Sequence, residues 1–251
     1  MPKKSKKKNN NNNDKYIKNT YVPKYSIINQ PAFASVKFNL EKNQSVYCNA
    51  GMMMSMDSHM NTETNTQGGI IKGLFREVFT DTSMFMTKYT GTQEKNELVC
   101  GSFLPGDIYP LIIKPGKKFL ISHHSMICYT TNLILGTKSR LKGIFVGEGL
   151  VQTEIINNSD KYGIVWLAAY GGYIVKELKE NESFKLDNGL FLSAESDTDY
   201  SISKLGDFTS KVPYLSGEGL LMKFEGPCKV ITTGRNLHTL ERFIARFLNK
   251  N

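Results

Sequence analysis

No stretch of this 251-residue chain is apolar for long enough to cross a bilayer as a helix. The least polar run, Gly163 to Val175, covers 13 residues and ends at Lys176, against the roughly 20 that a membrane-spanning helix needs. The N-terminus lacks a secretory signal and lacks the arginine- and serine-rich amphipathic character of a mitochondrial presequence. Cysteine is sparse, with Cys48, Cys100, Cys128 and Cys228 scattered and no Cys-x-x-Cys pair. That spacing favours buried thiols in a reducing compartment over a disulfide framework or zinc ligands. Also absent are Gly-x-x-x-x-Gly-Lys-[Ser/Thr], Gly-x-Ser-x-Gly and His-Glu-x-x-His. These absences predict a soluble intracellular protein that is not an enzyme, with no catalytic residue, metal or cofactor. The cytoplasm is the first expectation for its compartment, with the mitochondrion and the nucleus as alternatives.

Charge is unevenly placed. The formal net charge is +9, but residues 1–18 hold seven lysines and one aspartate, or +6, leaving 25 basic and 22 acidic side chains, or +3, for the rest. The body therefore offers no broad phosphate-binding field. Lys3 to Lys8 and the five asparagines Asn9 to Asn13 have nothing to bury, so residues 1–20 are expected to be a disordered arm. Its simplest role is solubilising. A nuclear-import signal and a nucleic-acid tether through Lys3–Lys8 are the alternatives.

From Tyr25 on, short apolar runs alternate with turn signals, the grammar of an all-β fold. Phe33 to Leu40 alternates as a half-buried strand. Leu104-Pro105-Gly106-Asp107 and Lys114-Pro115-Gly116-Lys117 are Pro-Gly turns, and Asn188-Gly189 predicts a hairpin. Lys118 to Thr130 reads as a second hairpin-like pair. Gly147-Glu148-Gly149-Leu150 recurs as Gly217-Glu218-Gly219-Leu220, and Gly73-Leu74-Phe75 is a degenerate third copy. Ser45–Met54, Phe119–Ile127 and Phe184–Leu192 align as equivalent strand-turn-strand pieces, one ahead of each corner. Residues 21–235 thus read as a β-sandwich, double-stranded β-helix-like, built from three internal β-repeats whose sheets pack on one another. Residues 236–251 read as an amphipathic helix. Leu237, Leu240, Phe243, Ile244, Phe247 and Leu248 share one stripe, and Asn236 is a fitting N-cap. Closing over an open end of the sandwich is the expected use of that stripe.

The chemically suggestive residues have structural readings too. His123-His124 cannot form a His-x-His half-site on a strand, because adjacent residues face opposite sides. Glu148 and Glu218 recur with their glycines, so they read as acceptors at tight corners rather than an acid–base pair. Met52 to Met54, Met56 and Met60 suggest a pliable packing surface. Phe85, Lys88 and Tyr89 are the candidates for base stacking on a sheet.

The order of these pieces resembles the altered-inheritance-of-mitochondria (mitochondrial biogenesis) family. The residues that carry it are Ala50-Gly51-Met52-Met53, Leu104-Pro105-Gly106-Asp107-Ile108, Gly147 to Leu150, Leu186-Asp187-Asn188-Gly189, Gly217 to Leu220, and Phe224-Glu225-Gly226-Pro227 leading to Thr233-Gly234-Arg235. The resemblance covers about Tyr25 to Arg235. It implies a β-sandwich like that of the tryptophan RNA-binding attenuation protein, homo-oligomers such as trimers, and a scaffold or assembly role without known catalysis. Nucleic-acid binding through the arm and an attenuation-protein-like sheet surface is the alternative function. Asn157-Asn158-Ser159-Asp160 departs from the family pattern, which has a Gly-Pro-Gly-like turn there.

Overall fold

A computed structural model describes residues 21–66, 85–136, 152–204 and 220–248. Among these residues the strands fall into three units of six. β1 (Lys24–Ile28) leads into β2 (Ser35–Leu40), β3 (Ser45–Asn49), β4 (Met53–Met56), β5 (Asn61–Thr66), β6 (Phe85–Thr90) and β7 (Asn96–Gly101). The second unit is β8 (Gly106–Ile113), β9 (Lys118–Ser122), β10 (Met126–Thr130), β11 (Ile134–Gly136), β12 (Gln152–Ile156) and β13 (Gly163–Tyr170). The third is β14 (Tyr173–Leu178), β15 (Ser183–Asp187), β16 (Phe191–Glu195), β17 (Tyr200–Lys204), β18 (Leu220–Glu225) and β19 (Cys228–Thr233), followed by α1 (Leu237–Leu248).

Pairing inside each unit follows one antiparallel rule. The sixth strand pairs with the first and third, and the fifth pairs with the second and fourth. This gives β2–β7, β4–β7, β3–β6 and β5–β6. It then gives β8–β13, β10–β13, β9–β12 and β11–β12, and β14–β19, β16–β19, β15–β18 and β17–β18. Units are joined by a second rule: the second strand of one pairs with the third strand of the next, as in β3–β10 and β9–β16. Each third strand carries the same one-residue irregularity against its sixth strand, at Met54, Ile127 and Leu192. The threefold repetition read from the sequence is therefore present strand by strand.

Four sheets result, in the orders β1-β2-β7-β4, β5-β6-β3-β10-β13-β8, β11-β12-β9-β16-β19-β14 and β15-β18-β17. Three apolar cores lie between successive sheets. The inner two sheets are covered on both faces, which explains the apolar run noted above. Along β13, Ile164, Trp166 and Ala168 enter the first core while Val165, Leu167 and Ala169 enter the second. A strand buried on both sides loses the apolar–polar alternation. What looked like the start of a long apolar segment is β13, a turn at Gly171 and Gly172, both in the left-handed region, and the beginning of β14.

Two hairpin expectations are corrected. Asn188–Leu190 and His123–Ser125 are single turns of 3-10 helix. The strands they join do not pair: β15 lies in the fourth sheet and β16 in the third, β9 in the third and β10 in the second. Neither Asn188 nor Gly189 has positive φ. Ala50-Gly51 makes the equivalent crossing from β3 to β4, with Gly51 at φ 78. The three aligned pieces are indeed equivalent, as sheet-to-sheet crossovers.

The helix expectation also changes. Asn236 caps α1 as expected, its Oδ1 accepting from the His238 N–H at 2.9 Å. The stripe, however, does not seal the sandwich: no residue of α1 is buried, and Phe243, Ile244, Phe247 and Leu248 are exposed.

Candidate functional site

The crossover turns converge on one end of the molecule, where they line a groove of about 370 Å³. Asn49 and Met52 come from the first crossover, Ser122 to Ser125 from the second, and Asn188, Gly189 and Phe191 from the third. The ends of β7, β13 and β19 lead there as well, bringing Leu104, Gly106 and Asp107, then Ala169 and Tyr170, then Arg235, Leu237, His238 and Glu241.

Most polar groups in the groove are already held. His123 is buried, with Nδ1 at 3.0 Å from the Thr153 hydroxyl. Burial, with the charge of His124 second, pushes its pKa down to about 4, so the ring is neutral at pH 7. Its plane stands edge-on to that of His124, the centroids 5.3 Å apart. Because the pair lies on a 3-10 turn, the opposite-faces argument for a strand does not apply, and both rings reach the groove. Gln152 Oε1 accepts from the Tyr200 hydroxyl at 3.1 Å. Asp107 Oδ1 accepts from Gln30 Nε2 at 2.8 Å, and His238 Nδ1 lies 3.0 Å from Glu241 Oε2. The Arg235 guanidinium donates to the Gly234 carbonyl at 2.8 Å. A groove with this lining has the size and donor–acceptor mixture to hold a small polar molecule.

Of the turn residues singled out in the sequence, Gly106, Asn188 and Gly189 line this groove, with Met52, His123 and His124. Pro105 stands beside them, its carbonyl accepting from the Gly171 N–H at 3.1 Å. Gly106 is fixed by close approach: its carbonyl accepts from the Ala34 N–H at 3.0 Å, and a Cβ would run into the Ala169 carbonyl oxygen. Gly189 donates to Asp187 Oδ1 at 2.9 Å, and a Cβ there would strike the Asn236 amide. Gly147, Glu148, Gly149, Gly217, Glu218 and Gly219, with the Gly73 copy and the 1–20 arm, lie outside the described residues.

The stacking candidates are not arranged as a platform. Tyr89 is buried in the first core, and Lys88 Nζ lies 3.9 Å from Glu63; the Phe85 side chain is outside the description. Sequence reasoning missed the groove itself: Arg235 was named only as a mark of the family, and Glu241 was not singled out. It also treated the cysteines as scattered, whereas Cys48, Cys100 and Cys128 meet with their sulfur atoms within 4.8 Å of one another. Once three units are aligned strand by strand, both convergences become visible.

The fold and the groove define a triplicated all-β protein whose three units share one end. The chain belongs to the mitochondrial biogenesis AIM24 family, which matches over residues 25–235. A crystal structure of a Streptococcus pyogenes protein has a similar fold, with a TM-score of 0.70 and 20% identity over 90% of this chain and 100% of that one. No protein of curated function matches the chain. No helix of the described residues is long and apolar enough to cross a membrane.

Proposed function

We propose that this protein is a non-enzymatic assembly component that associates head to tail with copies of itself. The observation that carries this reading is the exposure of β4. Its counterparts β10 and β16 are buried because the second strand of the preceding unit pairs with them. At the irregular position Ile127 and Leu192 are 0% exposed, whereas Met54 is 61% exposed. One residue earlier, Met126 and Phe191 are buried while Met53 is 38% exposed. Met56, opposite in kind to the fully buried Tyr129, is 37% exposed.

At the other end, among the described residues, β15 pairs with β18 alone. Its counterparts β3 and β9 each pair with the next unit. Among the described residues, one copy thus ends in a second strand without a third-strand partner, and begins with a third strand without a second-strand partner. The joint inside the chain supplies the register for the joint between chains. Cys48 faces Cys128, and Ile121 faces Ser193; the equivalent pair is Leu186 with Ser55, and Lys185 with Met56 follows. Such a heterologous contact closes into a ring or extends, and a trimer is the closed form the family resemblance implies.

In the groove His123, Asp107 and Glu241 each have a hydrogen-bonding neighbour in their own chain. Mixing Lys185→Cys with Met56→Cys tests the register. A disulfide-linked heterodimer should form between the two variants, and neither should self-link above wild type. Linkage that is independent of the pairing, or turnover found in a broad substrate screen, contradicts the reading.

A further inference from the structure

Three cysteines that are far apart in sequence meet inside the first core. Cys48 comes from β3, Cys100 from β7 and Cys128 from β10, so three strands drawn from two sheets and two units contribute one sulfur each. All three residues are 0% exposed. Cys48 Sγ and Cys100 Sγ are 3.5 Å apart, and no pair in the trio exceeds 4.8 Å. Three sulfurs around one ion with bonds of about 2.3 Å would sit about 4 Å from one another in a plane, a spacing within the 4.8 Å limit that holds for every pair of the trio. No histidine, aspartate, glutamate or fourth cysteine joins the group among the described residues.

The donor set selects the ion. Zinc in a closed structural site takes four ligands in a tetrahedron, and calcium and magnesium take oxygen. Soft sulfur donors without oxygen or nitrogen suit a soft d10 ion, and Cu(I) accepts three-coordination. We propose that Cys48, Cys100 and Cys128 form a three-sulfur site for Cu(I).

Binding releases thiol protons to solvent, so affinity rises with pH. With no sulfur at the surface, the ion enters during folding or through local opening. Packing of three small thiols is the competing account, and it requires no metal.

The test is an anaerobic Cu(I) titration of the full chain in competition with a chromophoric Cu(I) chelator, after refolding with the ion present. Wild type and Cys228→Ala should each retain one Cu(I) per chain. X-ray absorption should show three sulfurs at about 2.3 Å. Emission from Trp166, whose backbone pairs with Cys128 in the only tryptophan position of the chain, should be quenched. Cys48→Ser and Cys128→Ser should each weaken binding at least ten-fold, and Cys48→Ala/Cys100→Ala/Cys128→Ala should abolish it. Wild type surrendering copper as readily as the triple variant overturns the proposal. So does a wild-type ion coordinated by nitrogen or oxygen, a result that needs no variant to fold.

Discussion

Two glycines show how the same residue type serves different physical ends. Gly116 has φ 73 and open space where a Cβ would go, so Gly116→Ala meets only the cost of the left-handed conformation, about 1–2 kcal/mol. At Gly106 the obstacle is the fixed Ala169 carbonyl, and backbone cannot swing away as a side chain can. Gly106→Ala should therefore cost about 3 kcal/mol or more, and denaturant melts of the two variants should separate them. His123 supplies a pH signature. Its folded pKa of about 4 lies below the ordinary value of about 6.5, so the unfolded chain takes up the proton first. Stability from this group is complete above pH 6.5 and falls as pH drops toward 4. The loss is at most about 3 kcal/mol, from about 1.4 kcal/mol per pKa unit. His123→Gln should flatten that slope in urea melts between pH 4 and 6.5, and an unchanged slope would assign it to other groups.

At the scale of elements, turn chemistry was legible where the turn is local and misread where partners are remote. Lys114-Pro115-Gly116-Lys117 is the tight turn expected, with the Lys117 N–H donating to the Lys114 carbonyl at 3.1 Å. Its counterparts at Asn43 (φ 65) and Asn181 (φ 64) use asparagine in the left-handed region, a repeat mark that glycine counting passes over. Asn157, which departs from the family turn, has a structural reason to be there. It is fully buried, and its Nδ2 donates to the carbonyls of Ile113 and Lys161, both at 2.8 Å. Asn188-Gly189 has hairpin composition, yet the strands on either side belong to different sheets, because pairing is decided by apolar faces distant in sequence rather than by the turn. The third crossover is also tied to the helix: Asp187 holds the Gly189 N–H with one oxygen and Asn236 Nδ2 with the other at 3.1 Å. Asp187→Ala should loosen both, costing about 1–2 kcal/mol. Hydrogen exchange at the His238 and Leu240 amides should quicken more than at strands of the first unit.

Across the whole molecule, the outer faces and the outer edges behave differently. The face of the first sheet carries the Lys37–Glu97 ion pair, and that of the fourth carries Lys223–Glu225, so face-on stacking is opposed by charge. The edges carry β4 with its methionines and β15, the two strands that the proposed head-to-tail assembly would pair. The methionine cluster was visible in the sequence, and of its five members Met53, Met54 and Met56 are exposed while Met52 and Met60 are buried. Its position at a strand edge was not visible there, because only the strand-by-strand alignment of the three units shows what ought to cover it. A lysine on such an edge blocks pairing. Native mass at micromolar to 100 µM concentration, for wild type and Met54→Lys, is the most direct test. Wild type should be a multiple of its 28.3 kDa chain mass, and Met54→Lys should fall to the single-chain mass while still melting as one cooperative unit. A wild type that stays at 28.3 kDa throughout that range would contradict head-to-tail assembly.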